Sequence, residues 1–241
     1  MRLAAIIPAR YAAERLPGKP LADIAGMPMI VRVARIVRTA GNVDEVAVAT
    51  DDERIAAAVR ADGFRALITS PACRNGTERV AQAARELSAD GYLNVQGDEP
   101  LLDPRAVEAL AALVREGHAM STLARPLLPG EDPTNPSLVK VVLGEDGRAL
   151  YFSRAPIPYE RAKAVQPLVH IGLYGYSRSF LKTFAALPET PLEKAEGLEQ
   201  LRALGHGHSI RVGIGFWSSI AVDTPEDLER VRGMFAQRRI A

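Results

Sequence analysis

A chain of 241 residues, 47% of them hydrophobic, is long enough to bury one sizeable core, so a single domain spanning 1–241 with local excursions is expected. Its 30 basic and 29 acidic residues nearly cancel, leaving +1, which removes the broad basic surface of a nucleic-acid or membrane-surface binder and confines electrostatic function to local sites. One cysteine, Cys73, excludes an intrachain disulfide and a Cys-rich metal centre, which fits a reducing cytoplasm, and no stretch reads as a signal peptide or membrane span.

Along the chain, short apolar runs alternate with helical patterns. Strands are expected over 3–7, 45–50, 65–68, 92–95 and 120–124, and helices over 29–39, 53–61, 77–87 and 105–116. Repeated βα units imply an α/β fold, a mostly parallel central sheet with helices on both faces. From Pro126 onward the texture changes: Pro129, Pro133, Pro136, Pro156, Pro158 and Pro167 interrupt short strand-like runs at 139–143 and 149–153, a smaller β-rich excursion over about 127–176. A strand over 170–176, helices over 179–186 and 192–203, and a last strand near 220–222 follow. Thr224 and Pro225 then open a C-terminal helix.

Ligands of such sheets sit at the carboxyl ends of the strands, which directs attention to three segments: residues 8–20, Thr50-Asp51 and residues 96–100. The first carries Arg10, Arg15 and Lys19 against one acid, Glu14. Such a loop suits a polyphosphate, through turn N–H groups and flanking cations, although by itself a basic loop is more often a solvated surface. It has neither the G-x-x-x-x-G-K-[ST] nor the G-x-G-x-x-G spacing, so neither a Walker loop nor a dinucleotide site is expected. Asp98 follows Gly97 at a strand end, and Asp223 is placed at the end of the last expected strand; they can share a Mg²⁺ or simply form local turns. The turn Asn75-Gly76-Thr77 can read a base edge or serve as a helix N-cap with Thr77 capping. A G-x-S-x-G nucleophile elbow is absent.

The order of several blocks is more specific than any of these patterns. Ile-Ile-Pro-Ala-Arg-Tyr-Ala from Ile6 and Arg-Leu-Pro-Gly-Lys-Pro-Leu from Arg15 are followed by Ala49-Thr50-Asp51, Asn75-Gly76-Thr77-Glu78-Arg79 and Asn94-Val95-Gln96-Gly97-Asp98-Glu99-Pro100. Tyr151-Phe152-Ser153-Arg154, His170 to Tyr176, Leu198 to Arg202 and Val222 to Leu228 complete the series. In this order, over nearly the whole chain, they resemble the 3-deoxy-manno-octulosonate cytidylyltransferases, the CMP-Kdo synthetases of lipopolysaccharide biosynthesis.

The resemblance implies a nucleotide-diphospho-sugar transferase type of fold, a cytoplasmic homodimer, and Mg²⁺-dependent transfer of CMP from CTP to the anomeric hydroxyl of an acidic 3-deoxy-ulosonate. Asp98 and Asp223 would hold the metal. Arg15 and Lys19 would act with them in catalysis, and Ala9, Arg10, Arg15, Lys19, Asn75, Gly76, Arg79 and Asp98 would contact the nucleotide. Arg10, Arg15 and Lys19 would hold the β- and γ-phosphates. Gln96, Arg154, His170, Tyr174, Glu196 and Gln200 would bind the sugar, with Arg154 a bidentate partner for its carboxylate. Read without the resemblance, these are also ordinary structural residues: His170 and Tyr174 alternate on one strand, and Glu196 and Gln200 lie at i and i+4 on one helix face. The excursion would contribute to sugar binding and dimerisation. The family's Ser and His in the base-reading turn are replaced here by Asn75 and Cys73.

His118, His206 and His208 lack acid or Cys neighbours with metal-ligand spacing and read as surface positions, and Cys73 as a small loop residue open to oxidation. The competing readings are a cytidylyltransferase for an 8-amino-octulosonate or a nonulosonate, a non-catalytic nucleotide-binding regulatory protein, and a nucleic-acid-binding α/β domain. The near-neutral charge and 5% aromatic content oppose the last.

Overall fold

The first apolar run forms β1 (Leu3–Ala9), buried along nearly its whole length. The computed structural model describes residues 1–12, 16–162, 165–218 and 220–238. The chain divides into two units, residues 1–108 with 217–241, and residues 109–216.

In the first unit a two-strand hairpin, β2 (Asp23–Ile24) with β3 (Met27–Pro28), leads into α1 (Met29–Thr39). There follow β4 (Glu45–Thr50), α2 (Glu53–Ala61), β5 (Arg65–Ile68), α3 (Gly76–Ala83) and β6 (Gly91–Asn94). The strands lie in the order β6-β1-β4-β5, and every neighbouring pair is parallel. Helix α1 shows why the segment folds as it does: Met29, Ile30, Val33, Ala34 and Val37 recur at helical spacing and are buried, while Arg35 and Arg38 face out. Each buried Val or Ile of this kind contributes about 1.5–3 kcal/mol. Helix α2 starts at Asp52, whose side chain accepts the Arg54 N–H at 2.9 Å. The register pairs Ala9 with Thr50 and Thr50 with Ile68, which brings the carboxyl ends of these strands to one edge.

Helix α4 (Pro104–Arg115) carries the chain into the second unit. There β7 (Met120–Pro126), β8 (Lys140–Leu143), β9 (Ala149–Ser153) and β10 (Leu168–Ser177) precede α5 (Arg178–Ala186), α6 (Pro191–Glu196), α7 (Leu201–Gly205) and β11 (Arg211–Ile214). The order is β11-β7-β10-β8-β9; β11 is parallel to β7, and the other pairs are antiparallel. The β-rich excursion expected over 127–176 falls within this unit. Among the described residues no helix is long and apolar enough to cross a membrane.

Two expectations are corrected. The single helix over 192–203 is two helices: Gly197 adopts φ 61° and terminates α6, whose start is fixed by a Thr190/Glu193 capping box. Glu196 therefore ends one helix and Gln200 stands just before the next, so they do not share a helix face. No strand forms at 220–222; the strand lies earlier, at β11, whose charged first residue and central glycine conceal it in the sequence. Val222 is fully buried in a cluster with Ile24, Met29, Leu101, Leu228 and Val231, so core packing rather than a ladder holds this extended segment.

Candidate active site

The described part of the basic loop is folded back on itself. Gly18, at φ 72°, donates its N–H to the Tyr11 carbonyl at 3.1 Å and opens a 3-10 turn over Lys19–Leu21. A Cβ at Gly18 would stand 3.2 Å from the Tyr11 ring, and the Arg54 guanidinium covers that ring at 3.4 Å from its centroid. The stack of Gly18, Tyr11 and Arg54 fixes where Lys19 leaves the loop. Arg15 lies outside the described residues.

Lys19 points to the strand ends. Its Nζ donates to Asp98 Oδ2 at 2.7 Å and to Asp223 Oδ1 at 3.2 Å, so both carboxylates face one cation-sized point. Asp98 reaches that point because Gly97 precedes it: a Cβ there would meet the Pro8 carbonyl oxygen and Ile30 Cδ1, each at 3.0 Å. Asp223 is brought alongside by a hydrogen bond from Val222 N to Asp98 O at 2.9 Å. It is also held by Asp227, whose Oδ2 accepts the backbone N–H groups of Asp223 and Thr224 at 3.1 and 3.0 Å. These bonds keep the Asp227 carboxyl below the usual carboxylate range. Thr224 Oγ1 accepts the Asp227 N–H at 3.2 Å where the C-terminal helix (Pro225–Arg238) begins.

A cavity of about 510 Å³ opens here, lined by Ala9, Arg10, Lys19, Asn75, Gly76, Arg79, Gln96, Asp98 and Asp223, with Cys73, Arg74 and Leu16. The first unit thus brings together every nucleotide-side candidate except the undescribed Arg15. The helix cap is Asn75 rather than Thr77, correcting the expectation: Asn75 Oδ1 accepts the Glu78 N–H at 2.8 Å, while the Thr77 hydroxyl meets Asn94 Nδ2 at 3.5 Å. Asn75 sits one residue before the helix, where its backbone is extended and its side chain is free to turn onto the orphan N–H groups. Arg79, 3% exposed, is held by Asp51 and Thr69, two residues with no role expected from sequence. Asp51 lay in plain view as the end of Ala49-Thr50-Asp51, at a strand end. Burial pushes the Cys73 thiol above its ordinary range, its Sγ lying 3.3 Å from Gln82 Oε1.

Of the sugar-side candidates, Gln96 is in the first unit and the other five are in the second. Arg154 extends β9 and is braced on three carbonyls, those of Glu196, Pro136 and Gly197 at 2.7, 2.9 and 3.3 Å. Glu196 accepts from the Ser153 hydroxyl, the Arg154 amide and the Tyr151 hydroxyl at 2.6, 2.9 and 3.4 Å. Burial works against its ionisation, but these donors outweigh it and hold the carboxyl below its usual range. Lys140, fully buried and not foreseen, donates to the carbonyls of Asn135 and Arg154 at 3.1 and 2.5 Å, and burial lowers its pKa. The remaining donors of the Arg154 guanidinium are consequently held in a fixed frame.

His170 and Tyr174 pack together on β10, with ring centroids 5.4 Å apart. Burial lowers the His170 pKa to about 3, so its ring is neutral near pH 7. Its Nε2 lies 2.9 Å from Thr122 Oγ1, and that hydroxyl donates its single proton to the Leu173 carbonyl at 2.7 Å, which places the imidazole proton on Nε2. Tyr174 donates to Gln200 Oε1 at 3.0 Å, and burial raises its phenol pKa. Gln200 Nε2 is buried without a hydrogen-bond partner among the described residues. Such a group is costly unless a ligand or water satisfies it. The other histidines make structural contacts: His118 with Glu116 at 3.3 Å, His206 with the Pro188 carbonyl at 3.0 Å, and His208 edge-on to Phe180.

The cytidylyltransferase family model matches residues 4–210. A 3-deoxy-manno-octulosonate cytidylyltransferase of Anaeromyxobacter sp. (strain Fw109-5) is 54% identical, covering 98% of this chain and 97% of the relative. Its counterpart from Syntrophobacter fumaroxidans is 53% identical, covering 98% of each. A solved structure of CMP:2-keto-3-deoxy-manno-octonic acid synthetase complexed with CTP superposes with a TM-score of 0.94 at 43% identity, covering 99% of this chain and 100% of that one. A basic loop, two converging carboxylates and a polar cavity at the strand ends agree with this likeness along the whole chain, and the chain belongs to the cytidylyltransferase family, within its 3-deoxy-manno-octulosonate cytidylyltransferases.

Proposed function

We propose that the chain transfers CMP from CTP to the anomeric hydroxyl of 3-deoxy-manno-octulosonate, releasing pyrophosphate and supplying CMP-Kdo for lipopolysaccharide biosynthesis. The observation that carries this is the meeting of Asp98, Asp223 and Lys19 at one point of a cavity that Arg10 and the α3 N-terminus also border. The chemistry follows from charge. A bond forms between the anomeric oxygen and the α-phosphorus, the α–β phosphoanhydride breaks, and the hydroxyl proton leaves to solvent. Catalysis then consists of neutralising and aligning a triphosphate, with no covalent enzyme intermediate.

Magnesium dependence is part of the proposal. The two carboxylates already converge on a cation, the Lys19 ammonium, and hard oxygens are the donors Mg²⁺ takes. Among the described residues no group of three or more His, Cys, Asp or Glu is placed to hold a metal, so phosphate and water oxygens would complete the shell. The ion, when bound, supplies charge neutralisation at the α-phosphate. Lys19 and Arg10, with Arg15, hold the β- and γ-phosphates and favour departure of pyrophosphate. Asn75 and Gly76 present the start of α3 to the nucleotide, and Arg79 faces its base.

In the second unit, Arg154 binds the sugar carboxylate, while neutral His170, Tyr174 and the amide of Gln200, unpaired among the described residues, meet its hydroxyls. Gln96 lines the first unit's nucleotide cavity, and Glu196 serves by holding Arg154 and Ser153 in place. We extend the reading to a homodimer in the cytoplasm, the compartment that supplies CTP; the family resemblance supports both.

The test is a pyrophosphate-release assay with CTP, UTP, ATP and GTP against several sugar acids, with and without Mg²⁺. Release with CTP and the octulosonate is expected, nearly abolished in folded Asp98→Ala. Equal release with all four nucleotides, or none with any ulosonate, would sink the assignment. Sedimentation of the purified protein checks the dimer.

A further inference from the structure

Arg79 lies in the first half of α3, is 3% exposed, and nevertheless borders the nucleotide cavity. Its two terminal nitrogens are held from two different strand ends. Nη2 donates to Asp51 Oδ2 at 2.8 Å, one residue beyond β4, and Nη1 donates to Thr69 Oγ1 at 2.5 Å, one residue beyond β5. Thr69 is tied to the same edge, its N–H donating to the Thr50 carbonyl at 2.8 Å. A guanidinium carries five N–H donors in one plane and no acceptor. With both terminal nitrogens pinned, the plane cannot turn, and the donors left over keep a single direction. Asp51, its side chain 19% exposed, also supplies the counter-charge without which a buried guanidinium is strongly disfavoured.

The pyrimidine edge makes that rigidity selective. Cytosine presents two adjacent acceptors, N3 and O2, whereas uracil carries a hydrogen on N3. A donor-only group that is free to rotate adapts to either base by turning toward O2 alone. One that is fixed satisfies both acceptors of cytosine and opposes the N3–H of uracil, leaving a buried donor unpaired.

We infer that Asp51 and Thr69 are positioning residues that set the preference for CTP over UTP by locking the plane of Arg79. This rests on the proposed function and adds to it the origin of base selectivity. Neither residue need touch the nucleotide. The aspartate acts by charge and the threonine by geometry, so their substitutions converge on the same kinetic signature.

Asp51→Asn and Thr69→Val are compared with wild type in steady-state kinetics with CTP and with UTP, alongside calorimetric binding of each nucleotide. Losing one charge-assisted hydrogen bond corresponds to about tenfold or more. The expected result is a KM for CTP raised by about tenfold, kcat within about threefold, and a CTP-over-UTP ratio lowered by about tenfold, with Thr69→Ser restoring wild-type behaviour. An unchanged ratio in folded variants, or a loss shared equally by both nucleotides, overturns the inference. Thr69→Val removes an acceptor without stranding the charge, so it decides the matter if Asp51→Asn does not fold. The binding ratio needs no turnover: a wild type that prefers CTP but releases no pyrophosphate breaks the functional reading alone. A preference that the variants leave untouched breaks the inference alone.

Discussion

Replacing Lys19 by Met removes one ammonium from between two carboxylates while keeping most of the side-chain volume. Its effect on folding and on catalysis should differ in size. Two unit charges 4 Å apart interact by about 4 kcal/mol at an effective dielectric of 20. The side chains of Lys19, Asp98 and Asp223 are 16%, 28% and 44% exposed, however, so solvent screens most of this, and the net loss of stability is about 1 kcal/mol or less. In the reaction the same ammonium faces charge that grows on departing pyrophosphate, where one such donor is worth about 3–4 kcal/mol, or about 10²–10³ in kcat. Lys19→Met should therefore unfold in urea close to wild type yet lose at least about a hundredfold in pyrophosphate release. A folded variant within about threefold of wild-type kcat would refute the assignment of Lys19 to the phosphates. Calorimetry without CTP supplies a second readout: Mg²⁺ should bind the variant more tightly, because Asp98 and Asp223 lose their internal counter-ion. Unchanged affinity would show that ammonium and metal do not compete for these carboxylates.

Four further outcomes are expected. A folded-state His170 pKa of about 3, below the ordinary 6.5, means the unfolded chain takes up a proton the native one refuses; this contribution is intact above pH 6.5 and is lost as pH falls toward 3. Between pH 7.5 and 5, wild type should lose about 1–2 kcal/mol more than His170→Gln by denaturant unfolding, and equal losses would argue against a buried neutral ring. Arg202→Met, which strands Glu193 in the second unit, should cost about 3–5 kcal/mol, part of it recovered by adding Glu193→Gln; an unaltered Tm would contradict a buried pair at 2.5 Å. Gly97→Ala drives a methyl against the Pro8 carbonyl and Ile30, so about 1–3 kcal/mol of stability and much of the CTP affinity should go, read by thermal melting and calorimetry; a silent substitution would show that the approach is not tight. Cys73, its thiol pKa raised by burial, should alkylate more slowly at pH 7 than a free thiol, with Cys73→Ser still active; fast labelling would contradict the packing against Gln82.

Local pattern was enough to place β1, β4, β5 and their helices, because a run such as Leu3 to Ile7 or the α1 stripe of Ile30, Val33, Ala34 and Val37 has one way to hide its apolar face. It failed where a single residue overrode periodicity, as Gly197 does between α6 and α7, and where burial without a ladder imitated a strand at Val222. The basic loop and Asp98 were legible as strand-end chemistry, since strand ends are where a parallel sheet presents ligands. Asp223 was legible as a motif, but its place beside Asp98 comes from one backbone bond and an apolar cluster contributed by distant segments.

By itself, then, the sequence determined the βα rhythm, the charge of the loop and the types of side chain available for phosphate, metal and sugar. The tertiary structure alone decided which of them face one another: that Lys19 stands between Asp98 and Asp223, and that Asp51 and Thr69 grip Arg79 from two strand ends. The reason is range. Helix and strand periods are set by neighbours a few residues apart, whereas each of these contacts depends on strand register and core packing, which fix distances between residues the chain itself leaves far apart.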